Sequence, residues 1–224
     1  IYSDQSRIYF ISVEDVYSMF EYRTSKRKYN SLKKIKESNL SIQTKLALVY
    51  NYKKNVFQEI KNHFVNIFDQ VEDIKLEANE DEIYHKIIPE YPIVQIKEIG
   101  VDNWITQEHI SSGMLKTLMH IAELYLCAEG TVILIDEFES SLGVNCIDVL
   151  SDLLFSNRDL QFIITSHHPY IINKINMSHW KIVTRRGGVV SVKDAKDFNL
   201  GKSRHEAFMQ LINLDAYREG IFVE

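Results

Sequence analysis

Four apolar residues, Val132 to Ile135, run directly into Asp136 and Glu137. A strand that delivers two carboxylates at its tip suits phosphate chemistry. The first acid can hold Mg²⁺, usually through water, and the second can orient and deprotonate an attacking water. The plainer reading of the same residues is a buried strand whose exit is capped by two solvated acids. A second apolar run, Gln161 to Thr165, ends in Ser166-His167-His168-Pro169. An imidazole at that tip can hydrogen-bond a terminal phosphate or the attacking water, although a lone histidine there is more often structural. The third candidate is Ile110-Ser111-Ser112-Gly113-Met114, just ahead of a helical pattern. Serine hydroxyls, a glycine that admits close backbone approach and a helix N-terminus together suit an anion. A serine N-cap is the simpler alternative.

Residues of this kind need a scaffold that brings strand tips together, and the rest of the chain supplies one. Ser112 to Cys127 reads as a helix, Thr131 to Ile135 as an apolar strand, and Asn145 to Phe155 as a helix. Gln161 to Thr165 follows as a second apolar strand, and Pro169 to Ile175 as a short helix with proline in its first turn. Lys181 to Thr184 and Val189 to Val192 form a hairpin around Gly187-Gly188, and Arg204 to Leu214 closes the chain as a helix. Apolar strands alternating with helices predict parallel strands covered on both faces, hence an α/β fold. Upstream, Val71 to Leu76 and Ile93 to Ile99 alternate as strands, joined through an acidic stretch around Glu80 to Glu82. Before them, Ser41 caps a long helical pattern running toward Asp69. The division expected is a mainly helical segment over 1–70, an insertion or covering layer, followed by an α/β lobe over 71–224.

Composition narrows the class. With 224 residues, 45% of them hydrophobic, the chain can bury a sizeable core. Residues 1–70 carry 12 Lys and Arg against 7 Asp and Glu, whereas the remainder carries 14 against 24. The basic excess is densest from Arg23 to Lys36, which reads as a solvated helix face or as a contact for nucleic-acid phosphates. Cys127 and Cys146 lack metal-ligand spacing and read as buried thiols of a cytoplasmic protein. No apolar run approaches a membrane span, and no membrane partner is expected. The chain opens Ile-Tyr-Ser-Asp, without an initiator Met or a signal-peptide pattern, and reads as part of something longer.

Taken in order, these segments resemble the distal half of an ABC-type ATPase head. Ile110 to Met114 is similar to the signature motif and Val132 to Glu137 to Walker B. Ser140-Ser141-Leu142-Gly143 is similar to the D-loop, and Thr165-Ser166-His167 to the switch-histidine segment. The wording Ser-Ser-Gly-Met-Leu-Lys, Asp-Glu-Phe-Glu-Ser-Ser-Leu-Gly and Thr-Ser-His-His-Pro-Tyr is closest to AAA-family ATPases related to SMC and OLD proteins. Within these it resembles the bacterial anti-phage ATPases of the Septu and retron-associated type, which work beside an HNH-type nuclease. The resemblance covers roughly Val71 to Glu224 and is dense from Ile110 to Pro169.

That resemblance implies ATP and Mg²⁺ as cofactors, with Asp136 serving the metal and Glu137 as catalytic base. It implies His167 as the γ-phosphate sensor, with His168 the alternative. Ser111, Ser112, Gly113 and Ser141 would contact nucleotide held by a second head, making the protein a homodimer or higher oligomer with ATP sandwiched between heads. The output would be control of an effector nuclease or of nucleic acid. Asn145 and Asp148 have no clear assignment. Two departures stand out: Met114 replaces the glutamine or glutamate common at the signature's end, and Gly-x-x-x-x-Gly-Lys-Ser/Thr does not occur. Gly201-Lys202-Ser203 has Lys196 where the first glycine belongs, and reads as a helix start. The chain alone is therefore expected not to bind ATP tightly. Two other classes compete: a non-catalytic ABC-like scaffold for a nuclease or nucleic-acid partner, and a metal-dependent nuclease. Intact Asp136, Glu137 and His167 argue against the first. The absence of a separate acidic cluster in the hairpin and final helix argues against the second.

Overall fold

Serines open four helices of this chain, in a computed structural model that describes residues 17, 20–24, 28–78, 91–140, 142–157, 159–198, 200 and 203–213. Ser31, Ser41, Ser111 and Ser203 each accept, through the side-chain oxygen, the backbone N–H three residues on. Each thus satisfies one of the donors that a helix start leaves unpaired. The chain divides into two compact units, residues 1–133 with 140–163, and residues 134–139 with 164–224.

The first unit holds α1 (Leu32–Lys36), α2 (Ile42–Tyr52), α3 (Lys54–Ile67), β1 (Val71–Glu77), β2 (Ile93–Glu98), β3 (Ile105–Thr106), α4 (Ser112–Leu126) and α5 (Val144–Ser156). The single long helix expected from Ser41 toward Asp69 is two helices. At Lys53 the backbone leaves helical values, with φ −137° and ψ 59°. The reason lies in packing. Residues 44 to 49 of α2 are all buried, so that helix is enclosed, whereas α3 buries one face through Phe57, Ile60 and Phe64. The break at Lys53 separates two segments with different surroundings. Strands β1, β2 and β3 form an antiparallel sheet with Ile74 opposite Ile96 and Ile96 opposite Ile105. Leu46, Ile60, Phe64, Leu76, Ile96, Leu118 and Ile121 are fully buried, and α4 packs against α2, α3 and α5.

Strands β4 (Val132–Ile135) and β5 (Gln161–Ile164) pair with each other. The Gln161 N–H donates to Thr131 O at 3.0 Å and the Thr165 N–H to Ile135 O at 2.9 Å. The partners climb together along both strands, so the pair is parallel. The starts of these strands lie in the first unit and their ends in the second. The expected cover on both faces is corrected: Ile133 and Ile135 are buried, whereas Val132, Leu134 and Ile163 are exposed. Among the described residues only one face of this pair is covered.

The second unit continues with α6 (Pro169–Lys174), β6 (Lys181–Arg186), β7 (Val189–Asp194) and α7 (Arg204–Leu211). Strands β6 and β7 form an antiparallel hairpin, its turn using Gly187 at φ +56°, a value most side chains disfavour. Trp180, Ile182, Ala195, Ala207, Phe208 and Leu211 form this unit's own core. The chain is thus a mixed α/β protein, with a parallel strand pair and flanking helices.

Candidate functional site

The tips of β4 and β5 are laced together by one side chain. Thr165, the residue after β5, donates its hydroxyl to Asp136 Oδ1 and accepts the Glu137 N–H at 2.8 Å. Its carbonyl takes the Phe138 N–H at 3.1 Å. Phe138 is fully buried and anchors the turn that follows the acid pair. Asp136 and Glu137 are both exposed, and Glu137 holds φ 45°, a left-handed value rarely taken by a residue with a Cβ. The threonine and the buried phenylalanine are what hold that conformation in place.

The histidines divide by role. His168 precedes α6 and accepts the Tyr170 N–H on Nδ1 at 3.3 Å, so it serves as the helix cap. His167 is exposed at the strand tip, its N–H donating to Glu139 Oε1 at 2.9 Å and its ring Nδ1 lying 3.0 Å from the same oxygen. Glu139 is a residue that sequence reasoning passed over. Burial alone would raise its pKa, but hydrogen bonds from Ser166 and from the His167 and Glu139 N–H groups, with the charge of the His167 ring, hold the carboxyl below its ordinary range. The only advance signal was a third acid within Asp-Glu-Phe-Glu, which in a sequence is indistinguishable from a solvated one.

In the first unit, Ser111 and Ser112 are exposed and Gly113 is half-buried at the start of α4. Ser111 uses its hydroxyl to accept the Met114 N–H at 3.2 Å, and the Gly113 carbonyl takes the Thr117 hydroxyl at 2.8 Å. Lys116, one turn further along α4, donates to the Ser140 carbonyl at 2.9 Å. That lysine, likewise given no role from the sequence, ties α4 to the start of the Ser140–Gly143 loop. Ser141 lies outside the described residues. Asp148 is exposed on α5. Ser203 accepts the Glu206 N–H at 3.1 Å, so the Gly-Lys-Ser string ends in a helix cap, its glycine and lysine lying outside the described residues.

As a metal site the strand tips offer hard oxygen donors. Among the described residues no group of three or more His, Cys, Asp or Glu could hold an ion by itself. One exposed carboxylate beside a threonine hydroxyl fits Mg²⁺ carried largely by phosphates and water, not by a protein cage. In open α/β sheets ligands bind beyond the carboxyl ends of parallel strands.

The family described as "AAA domain, putative AbiEii toxin, Type IV TA system" matches residues 19–173, more than half of the sequence, and the chain belongs to it. The family relationship makes it a nucleotide-binding ATPase type. No curated protein sequence matches the chain. Among solved structures it is similar to one from "Structural biochemistry of ATP-driven dimerization and DNA stimulated activation of SMC ATPases", at 17% identity and TM-score 0.49, covering 71% of this chain and 91% of that one. It is also similar to "Crystal structure of the SmcHead bound to the C-winged helix domain of ScpA", at 19% identity and TM-score 0.46. There the match covers 76% of this chain and spans about half, 53%, of the other. Among the described residues no helix is long and apolar enough to cross a membrane.

Proposed function

We propose that the chain is the distal half of an ATP-hydrolysing head of the ABC type. The observation that carries this reading is the lacing of two parallel strand tips, in which Thr165 fixes Asp136 and Glu137 while Glu139 seats His167. Asp136 would hold Mg²⁺, which supplies neutralisation of the phosphate oxygens when bound. Glu137 orients a water and takes its proton as that water attacks the γ-phosphate. His167, free of the capping duty that occupies His168, contacts the γ-phosphate or the attacking water.

Phosphate cradling is assigned to residues outside this sequence, since no Gly-x-x-x-x-Gly-Lys-Ser/Thr occurs in it. Ser112 and Gly113, with Ser111 and Ser141, close the site of a second head, so that two copies sandwich ATP and separate after hydrolysis. The exposed start of α4 supports that role. The effector proposed is an HNH-type nuclease of an anti-phage system, with nucleic acid as a further partner. The wording of the motifs supports this finer reading.

The test is hydrolysis and binding in the head completed by its P-loop half. Glu137→Gln is expected to bind ATP as the unmodified head does and to lose turnover by at least 100-fold, about the scale of a general base. Hydrolysis at the unmodified rate would overturn the assignment.

A further inference from the structure

Glu139 is the acid that these roles leave unused, and its setting is specific. Its side chain is only 9% exposed, while the His167 ring beside it is 73% exposed. Carboxylates are seldom buried without a partner that needs them. Here a single oxygen, Oε1, meets both the backbone N–H and the ring Nδ1 of His167, at 2.9 and 3.0 Å. A neutral imidazole carries one N–H and one bare nitrogen. At 3.0 Å from an ionised oxygen, charge attraction favours a proton on Nδ1 and repulsion disfavours a bare nitrogen there, so the proton belongs on Nδ1.

We propose that Glu139 is the positioning residue for His167, fixing its ring with Nδ1–H turned to the carboxylate and Nε2 presented outward. The inference rests on the reading of His167 given above and makes it more definite. With Nδ1 committed, the outward Nε2 of the neutral ring is an acceptor, suited to the hydrogen of an attacking water. It donates to a phosphate oxygen only as imidazolium, a cation whose charge Glu139 is placed to balance. The two contacts that a strand-tip histidine leaves open are thereby assigned to the two protonation states of one fixed ring. Glu139 touches no reacting atom in this scheme and acts through His167.

The neighbouring His168 supplies a contrast within the same molecule. Its Nδ1 accepts the Tyr170 N–H, which places its proton on Nε2. Two-bond ¹H–¹⁵N spectra of ¹⁵N-histidine-labelled protein distinguish the two tautomers, with His167→Gln and His168→Gln identifying the signals. At a pH where the spectra show His167 neutral, the Nδ1–H form is expected at His167 and the Nε2–H form at His168. Glu139→Ala should move His167 to the Nε2–H form, whereas Glu139→Gln, whose amide oxygen still accepts, should keep it in the Nδ1–H form. Should the alanine variant fail to fold, Glu139→Met fills the same space without an acceptor and carries the same expectation. An Nε2–H tautomer at His167 in the unmodified protein, or no change on removing the acceptor, overturns the proposal. The readout needs no nucleotide. A failure here is therefore separate from a failure of the Glu137→Gln hydrolysis test.

Discussion

Thr165 is the residue on which the strand-tip arrangement turns. Its hydroxyl is acceptor to the Glu137 N–H and donor to Asp136, so one oxygen ties together a backbone turn and a carboxylate on the other strand. Thr165→Val keeps the shape and removes both bonds, with an expected loss of about 1–2 kcal/mol in denaturant unfolding. The same substitution in the completed head should lower turnover well beyond that stability loss, because Glu137 is no longer held at φ 45°. Equal turnover in the valine variant would mean that the bridge is incidental. The placing of Asp136, Glu137 and His167 at strand ends was legible beforehand, because an acid pair or an imidazole after an apolar run is visible as residue type plus position. Glu139 and Lys116 were not, since what distinguishes them is the partner each reaches: His167 for one, the Ser140 carbonyl for the other. The choice between His167 and His168 rested on motif spacing, and the capping bond of His168 supplies a physical reason for it.

Elements were legible where periodicity and turn chemistry agree, as in α4, β4, β5 and the β6–β7 hairpin. They were less so where packing overrides local pattern. The continuous helical spacing from Leu46 to Ile67 concealed the break at Lys53, and the apolar run of β4 concealed its exposed face. Lys45 shows the same override within α2. It is buried, with Nζ donating to Lys36 O at 2.9 Å and to Leu126 O at 3.4 Å, and so joins the ends of α1 and α4. Burial lowers its pKa below the ordinary 10.5, offset in part by the neighbouring Cys127. A base depressed in the folded state binds its proton more readily when unfolded, so stability should rise as pH climbs through the interval up to 10.5. The rise can reach about 1.4 kcal/mol per pH unit at most. Lys45→Met should lack that component when urea midpoints are followed across alkaline pH. Parallel profiles for the two proteins would show that the charge on Lys45 is not what the fold opposes.

At the scale of the molecule, contacts group the chain into two units that each recruit distant stretches. Such grouping is invisible to any pattern read along the chain, because it depends on which surfaces meet. The chain's two tryptophans fall one in each unit. Trp104 lies in the first, with Lys75 Nζ 4.6 Å from the centre of its ring. Trp180 belongs to the core of the second and donates its indole N–H to Ile175 O at 3.1 Å. Trp104→Phe leaves fluorescence that reports the second unit, and Trp180→Phe leaves fluorescence that reports the first. The second unit draws on fewer residues and a smaller buried core, so its transition should come at lower denaturant and with a shallower slope, since slope follows the surface exposed on unfolding. Circular dichroism of each variant should then span both transitions, not match either fluorescence curve alone. Coincident midpoints and slopes from the two tryptophans would mean that the units unfold as a single cooperative body.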